Sequence, residues 1–493
     1  MGKKENYSLL SRNLYGMAEF YSGGAFVIIN TFFTAFLIKA LGMPAALAGT
    51  IPLVGKIWDA ITDPIMGNIT DRTVSRFGPK RFYILVGGII SALTFVVMWV
   101  TIPTKSAGAM YAFYLFMYCL FSTGFTIISV PYNGLLPDMI DDYTIRAKFS
   151  NVRMIWSTIG SAVCGLVPTF IIKDNTNPAQ YLTCALLFGF LFFATSMVTF
   201  AGTWEHPKPP VKSSIVESFP QAISVFKSRS FRLFIGIYLF GQCGMDIVSG
   251  MALIYCDDVL NGYNNGCFIA LMATLLASQL IGMLIWGPVM NVTSKRTTIL
   301  IGAPMRLFAT LGLLFVSKEG ASLVPILILT AIIGLGNAAT LTSIFSIMAD
   351  MADVDELITS IRRPGIVSGM ATFARKISAG LSNATIGFLL AAVGYDSYLA
   401  NNKIRQSLET QRGIVYIFVF VPVILMALLI IVGYIFPLTG KEFKVVQTEI
   451  ARRKGQIDTE ANGMEKKICE KVTGISYDKL WNPANTLTKG TNK

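Results

Sequence analysis

The chain has 493 residues, 53% hydrophobic and 14% charged, with a mean hydropathy of +0.58; soluble domains carry roughly 25% charged residues, so a soluble fold of this size is excluded. Aromatic residues at 12% and 43 glycines suit lipid contact and close helix packing, and together they predict an all-α integral membrane protein. The net charge of +13, from 41 Lys and Arg against 28 Asp and Glu, takes its meaning from where the basic residues fall.

A spanning helix needs about 20 mostly apolar residues. Twelve such runs follow along the chain, centred near Phe26, Leu53, Ala92, Met117, Ala162, Phe190, Gly244, Leu276, Leu311, Ile332, Leu381 and Ile424. Met1 to Asn13 is polar, and no small-residue cleavage pattern follows it, so no cleaved signal peptide is expected. An even number of spans puts both termini on one side. Segments on that side carry Arg72, Arg76, Lys80, Arg81, Arg146, Lys148, Arg153, Lys208, Lys212, Lys227, Arg229, Arg232, Lys295, Arg296, Arg362 and Arg363. The opposite loops carry only Lys39, Lys105, Lys173, Lys318, Lys403, Arg405 and Arg412. This bias predicts cytoplasmic termini. It also accounts for the basic excess, and no nucleic-acid partner is expected.

Two loops repeat. Asp138-Met139-Ile140-Asp141 returns 212 residues later as Asp350-Met351-Ala352-Asp353, and Lys80-Arg81 returns 215 residues later as Lys295-Arg296. The expected organisation is a six-helix half over 1–203, a Pro-bearing cytoplasmic linker over 204–230 and a second six-helix half over 231–437. A polar cytoplasmic tail, 438–493, is expected along the inner membrane surface and partly disordered. Parallel repeats of this kind belong to rocking transporters whose substrate site lies at mid-membrane.

A charge at a helix centre costs roughly 2.5–3.5 kcal/mol on insertion scales, so each one inside a span calls for a partner or a purpose. Span two carries Lys56, Trp58, Asp59 and Asp63. Asp59 and Asp63 share one helix face. Their repulsion is relieved by a cation between them, which points to a Na⁺, Li⁺ or H⁺ site; the alternative is a helix-end cap, since Pro64 follows Asp63. Lys376 in span eleven needs a counter-ion, and these two acids are natural ones; the neighbouring Arg375 reads as a snorkelling residue. Arg153 opens span five and either grips substrate hydroxyls or a carboxylate or anchors the inner face. Asp246 and Glu19 each either line the cavity or hydrogen-bond structurally. Tyr15, Tyr21, Trp58, Phe125 and Tyr132 offer faces for a sugar ring, or pack. His206, the single histidine, falls in the linker. Cys256 and Cys267 flank one short loop and either pair or stay free; the spacing of the seven cysteines gives no zinc site.

Lys56-Ile57-Trp58-Asp59-Ala60-Ile61-Thr62-Asp63-Pro64-Ile65-Met66-Gly67, with Asp71-Arg72-Thr73 and Arg76-Phe77-Gly78-Pro79-Lys80-Arg81 after it, resembles the second span and following loop of the glycoside, pentoside and hexuronide:cation symporters, a major facilitator superfamily group whose prototype is the melibiose permease. The likeness extends to Tyr15-Gly16, Pro131 to Pro137, Asp350 to Arg362, Lys376 and Gly394-Tyr395, about residues 10–437 in all. It implies twelve helices in two halves, Asp59, Asp63 and Thr126 as cation ligands, Lys376 as the coupling lysine and Arg153 as a sugar-binding residue. The alignment sets Ser22-Gly23, Ser129 and Asn133 where the prototype has its sugar-gripping acids and a tryptophan, so melibiose itself is not expected. Glu19, one turn before Gly23, is a replacement acceptor.

The expected function is import of a sugar, glycoside or hexuronide with Na⁺ or H⁺, by a monomeric unit in a cell membrane, the inner membrane in a bacterium. Neither an enzyme nor a cofactor is expected: no Walker A, HExxH or nucleophile and base spacing occurs. The alternatives are a lipid or lysolipid carrier of the same superfamily and a non-transporting sugar sensor.

Overall fold

A computed structural model describes residues 8–104, 106–140, 143–205, 223–261, 265–318, 322–361, 363–402 and 404–486. The predicted linker is therefore described only at its two ends, and His206, Lys105, Asp141, Arg362 and Lys403 lie outside the described residues. Among the described residues the elements are helical, without strands.

The long helices are α1 (Leu9–Ala40), α2 (Ala45–Arg72), α3 (Pro79–Val97), α4 (Ala107–Met139), α5 (Tyr143–Ile171), α6 (Pro178–Gly202), α7 (Arg229–Tyr255), α8 (Asn265–Val292), α9 (Lys295–Val316), α10 (Leu323–Thr359), α11 (Pro364–Ala392) and α12 (Leu408–Ile435). Among the described residues ten stretches are long and apolar enough to cross a membrane, which makes this a multi-pass membrane protein. The two that fall short are α2 and α11, the helices that carry Lys56, Asp59 and Asp63 and Arg375 and Lys376.

The chain forms two compact units. The first comprises Met1–Ser213 with Ser249–Met272 and Gly380–Ile417, and so includes the C-terminal ends of α7 and α11. The second comprises Ser214–Val248, Ala273–Ala379 and Phe418–Lys493. Each unit holds its own copy of one polar constellation. In the first, Lys80 at the start of α3 binds the Asp138 carboxylate and donates to the Gly134 carbonyl at 2.7 Å. In the second, Lys295 at the start of α9 donates to Asp350 at 2.6 Å and to the Ser346 carbonyl at 3.1 Å. In both, the lysine meets an aspartate and the backbone carbonyl four residues before it on the same helix. The following arginines match too: Arg81 donates to the Phe200 carbonyl of α6 at 2.8 Å, and Arg296 to the Tyr434 carbonyl of α12.

The described part of the tail, 438–486, is largely helical. It folds into α13 (Gly440–Arg453) and α14 (Gly463–Thr473), opened by Thr439/Glu442 and Asn462/Glu465 capping boxes. Val446, Ile450, Cys469, Val472 and Leu480 share one apolar core with Phe231, Phe234, Val354, Leu357 and Ile358 of α7 and α10. The backbone N–H groups of Trp481 and Asn482 donate to the Leu357 and Ile358 carbonyls at 2.9 and 3.2 Å, satisfying acceptors that the end of α10 leaves open. Lys454 pairs with Glu356 at 2.5 Å. Apolar residues scattered through a charged segment find a surface on the helices before them, so burial of that side offsets the entropy of ordering.

Glu449 fastens the tail internally. Its carboxylate accepts from Tyr477 at 2.5 Å and from Arg453 at 2.8 Å, with Arg452 beside it. Burial raises its pKa, but the hydrogen bonds from Tyr477, Arg453 and Arg452 outweigh it, and the group sits below its ordinary value. A depressed carboxyl stabilises the docked tail above its unfolded pKa and loses that contribution as pH falls through the folded one. Limited proteolysis of the 455–462 connection is therefore expected to stay slow at pH 5 and to accelerate only once pH drops below about 4, with Glu449→Gln removing the step.

Candidate functional site

α2 and α4 approach because Gly55 has no side chain: a Cβ there would stand 2.1 Å from the Tyr118 ring. From that contact the two helices advance together. Trp58 Nε1 donates to Thr123 at 2.8 Å, and the Thr126 hydroxyl donates to Asp63 Oδ1 at 2.8 Å. Asp59, one turn before Asp63, is fully buried. Within α2, Lys56 donates to Asp59 Oδ2 at 3.3 Å while its ammonium sits 3.2 Å from the centre of the Phe26 ring. Spacing alone allows this pair, three residues apart, but the anchoring ring on α1 is visible only in three dimensions.

α1 and α5 also meet backbone to backbone. A Cβ on Gly160 would lie 2.5 Å from the Phe20 carbonyl oxygen, and one on Gly24 3.0 Å from the Gly160 carbonyl oxygen. This close approach sets Glu19 against Arg153. Arg153 Nε donates to Glu19 Oε2 at 2.7 Å, Nη2 donates to Asn133 Oδ1 at 2.5 Å, and the guanidinium lies 4.8 Å from the Tyr132 ring centre. The Tyr132 hydroxyl donates in turn to the Tyr15 carbonyl at 3.1 Å. Three expected substrate residues, Glu19, Asn133 and Arg153, thus come together at one point on α1, α4 and α5. Ser22 is half-buried on α1, and Phe125 and Ser129 are buried on α4. Phe125 packs edge-on against Phe26, 4.7 Å between ring centres, and against Tyr21. Of the aromatic faces offered to a sugar ring, Tyr15, Tyr21 and Tyr132 are buried in packing, whereas Trp58 is 42% exposed.

Asp246 and Lys376 belong to the second unit. Arg375 is not a snorkelling residue: its two Nη atoms donate to the two oxygens of Asp246, each at 2.7 Å. This fork-to-fork geometry, between α7 and α11, is the stronger form of ion pair, and it is invisible in sequence because the partners lie 129 residues apart. Lys376 is half-buried beside it. Cys256 and Cys267 are both buried free thiols.

The sequence model of the family described as MFS/sugar transport protein matches residues 14–440. The chain belongs to that family of major facilitator sugar transporters. Among curated relatives, the Escherichia coli glucuronide carrier protein homolog is 26% identical over 89% of this chain and 95% of its own length. The isoprimeverose transporter of Lactiplantibacillus pentosus is 25% identical over 83% and 85%, and a putative sulfoquinovose importer of Escherichia coli 26% over 91% and 95%. Of solved structures, a bacterial homolog of the human lysosomal transporter Spinster matches with a TM-score of 0.63 at 14% identity, over 91% of this chain and 98% of that one. The nucleoside transporter NupG matches at 0.58 and 14%, over 86% and 98%. These structures share the fold.

In this sugar transporter the Lys56–Asp59 contact has a measurable energy. Removing one partner of a buried pair costs roughly 3–5 kcal/mol, whereas removing both costs far less. Thermal unfolding in detergent is expected to show Lys56→Met and Asp59→Asn each lowering the melting temperature and the double variant recovering part of the loss, a coupling of at least about 1 kcal/mol. Strict additivity would show that the pair carries no energy.

Proposed function

We propose that this chain is a secondary active symporter, importing a sugar, glycoside or hexuronide together with Na⁺, Li⁺ or H⁺. Its helices would form twelve spans in two six-helix halves with both termini cytoplasmic, in a cell membrane that is the inner membrane in a bacterium. One chain is the transporting unit. The observation that carries the reading is the group on α2 and α4: Asp59 and Asp63 one turn apart, with the Thr126 hydroxyl on Asp63. Two carboxylates and a hydroxyl are hard oxygen donors suited to a small cation or a proton. An ion arriving there relieves the repulsion of the acids and competes with the Lys56 ammonium for Asp59. The binding energy of the ion is thereby tied to a rearrangement of side chains on α1, α2 and α4.

The sugar is assigned to the neighbouring cluster. Arg153 spends Nε and Nη2 on Glu19 and Asn133, which hold the guanidinium plane so that its remaining donors face substrate hydroxyls or a carboxylate. Ser22, Phe125 and Ser129 are proposed as further contacts, Asp246 as a contact from the second unit, and Lys376 as the positive charge that responds to ion occupancy. The relatives' names, a glucuronide carrier homolog, an isoprimeverose transporter and a putative sulfoquinovose importer, favour sugars over lipids.

Uptake into right-side-out vesicles of labelled glycosides, pentoses and hexuronates, under an imposed Na⁺ or H⁺ gradient, tests this reading. Gradient-driven accumulation of at least one sugar is expected, with Asp59→Asn abolishing accumulation while leaving downhill exchange. Accumulation indifferent to every gradient, or unchanged in Asp59→Asn, would overturn it.

A further inference from the structure

Lys39 stands among residues at loop positions in the sequence, yet in the structure it is the last charged residue of α1 and its side chain is wholly buried. Its ammonium lies 2.9 Å from Asp257 Oδ2 and 3.1 Å from Asp258 Oδ2, and both carboxylates are wholly buried as well. Asn175, after α5, donates to Asp257 Oδ2 at 2.6 Å, and the Tyr395 hydroxyl, after α11, donates to Asp258 Oδ2 at 3.0 Å. Asn401 donates to the Lys39 carbonyl at 2.7 Å. One buried cluster thus ties the C-terminal end of α1 to the C-terminal ends of α7 and α11, all within the first unit.

Both sides of the central contact are built on π-helical turns, Phe36–Ala40 at the end of α1 and Cys256–Asn261 after α7. Such turns interrupt the regular ladder and recur at functional positions. Lys39 and Asp257 lie 218 residues apart, close to the repeat offsets of 212 and 215, so α1 and α7 present opposite charges from near-equivalent places in the two repeats. The cluster is not fully satisfied: Asp257 Oδ1 is buried without a hydrogen bond among the described residues. A partly satisfied buried network is worth less than a complete one. That suits a contact made and broken repeatedly, whereas a contact serving only folding gains from full satisfaction.

We propose that Lys39, Asp257 and Asp258 form a latch that closes one mouth of the transporter and must open once in every transport cycle. Substrate enters or leaves at this end only when the Lys39 ammonium parts from the two carboxylates and water replaces it. The latch rests on the transport cycle proposed above, and on the topology proposed there its end is the external mouth.

Cys256 precedes Asp257 and is fully buried, so its thiol reports opening. The experiment uses the full-length protein retaining Cys256 as its only cysteine, reconstituted in liposomes, and measures the rate of labelling by a membrane-impermeant maleimide added on each side in turn. Slow labelling is expected with the latch residues intact. Lys39→Gln combined with Asp257→Asn and Asp258→Asn, which leaves no lone buried charge, is expected to label about tenfold faster. The charge exchange Lys39→Asp with Asp257→Lys is expected to return the rate most of the way. Labelling of the folded neutral variant at the unaltered rate, or a charge exchange as fast as the neutral variant, would overturn the latch. Fast labelling solely from the side of the termini would leave the latch standing and overturn the assignment of sides.

Discussion

A charge carried into an apolar helix has to be met by another charge or by a strong donor, and this constraint organises the protein. Lys39 is met by Asp257 and Asp258, Lys56 by Asp59, Arg153 by Glu19 and Asn133, and Arg375 by Asp246. Each pair joins separate elements or presses a side chain against a neighbouring helix, as Lys56 does on Phe26. In a medium of low dielectric the cost of separating such partners is large. The cost is also conditional: a second cation, a proton or a substrate hydroxyl can take over one side of a pair. On the proposed reading, the interactions that hold the helices together are the ones an ion or a sugar exchanges.

Small residues decide which charges meet. Gly160 and Gly24 let α1 and α5 touch through their backbones, and Glu19 and Arg153 face each other as a consequence. Gly55 seats the Tyr118 ring against α2, which brings Thr126 to Asp63 two turns further on. Packing of this kind needs no apolar driving force, only close fit and interhelical hydrogen bonds. The paired Lys80/Asp138 and Lys295/Asp350 constellations brace the starts of α3 and α9 in the same way, one in each unit.

Much of this is legible in the sequence, for definite reasons. Apolar runs of spanning length announce the helices, and the recurrence of Lys-Arg and Asp-Met-x-Asp announces the repeat that the two lysine constellations embody. The four-residue spacing of Asp59 and Asp63 and the helix-two string locate the candidate cation site. Partners are harder to read. Asp246 and Arg375, or Glu19 and Arg153, are separated by more than a hundred residues, and no local pattern joins them. Lys39 reads as a loop lysine because a span of about 20 residues centred near Phe26 ends before it, whereas the helix continues through two π turns to Ala40. The tail is charged enough to suggest disorder; its spaced apolar residues gain meaning only from the surface that α7 and α10 offer them.

The central claim is that ion and sugar bind to coupled sites on α1, α2, α4 and α5. Coupling between two binding equilibria is reciprocal: whatever factor the ion adds to sugar affinity, the sugar adds to ion affinity. Calorimetric titration of the purified protein with its sugar, with and without Na⁺ and across pH, and with Na⁺ in the presence and absence of sugar, measures both arms. The account predicts equal factors of at least about fivefold in the two directions for Na⁺ or for protons, and their disappearance in Asp63→Asn. Sugar binding of the same strength at every Na⁺ concentration and pH would contradict it.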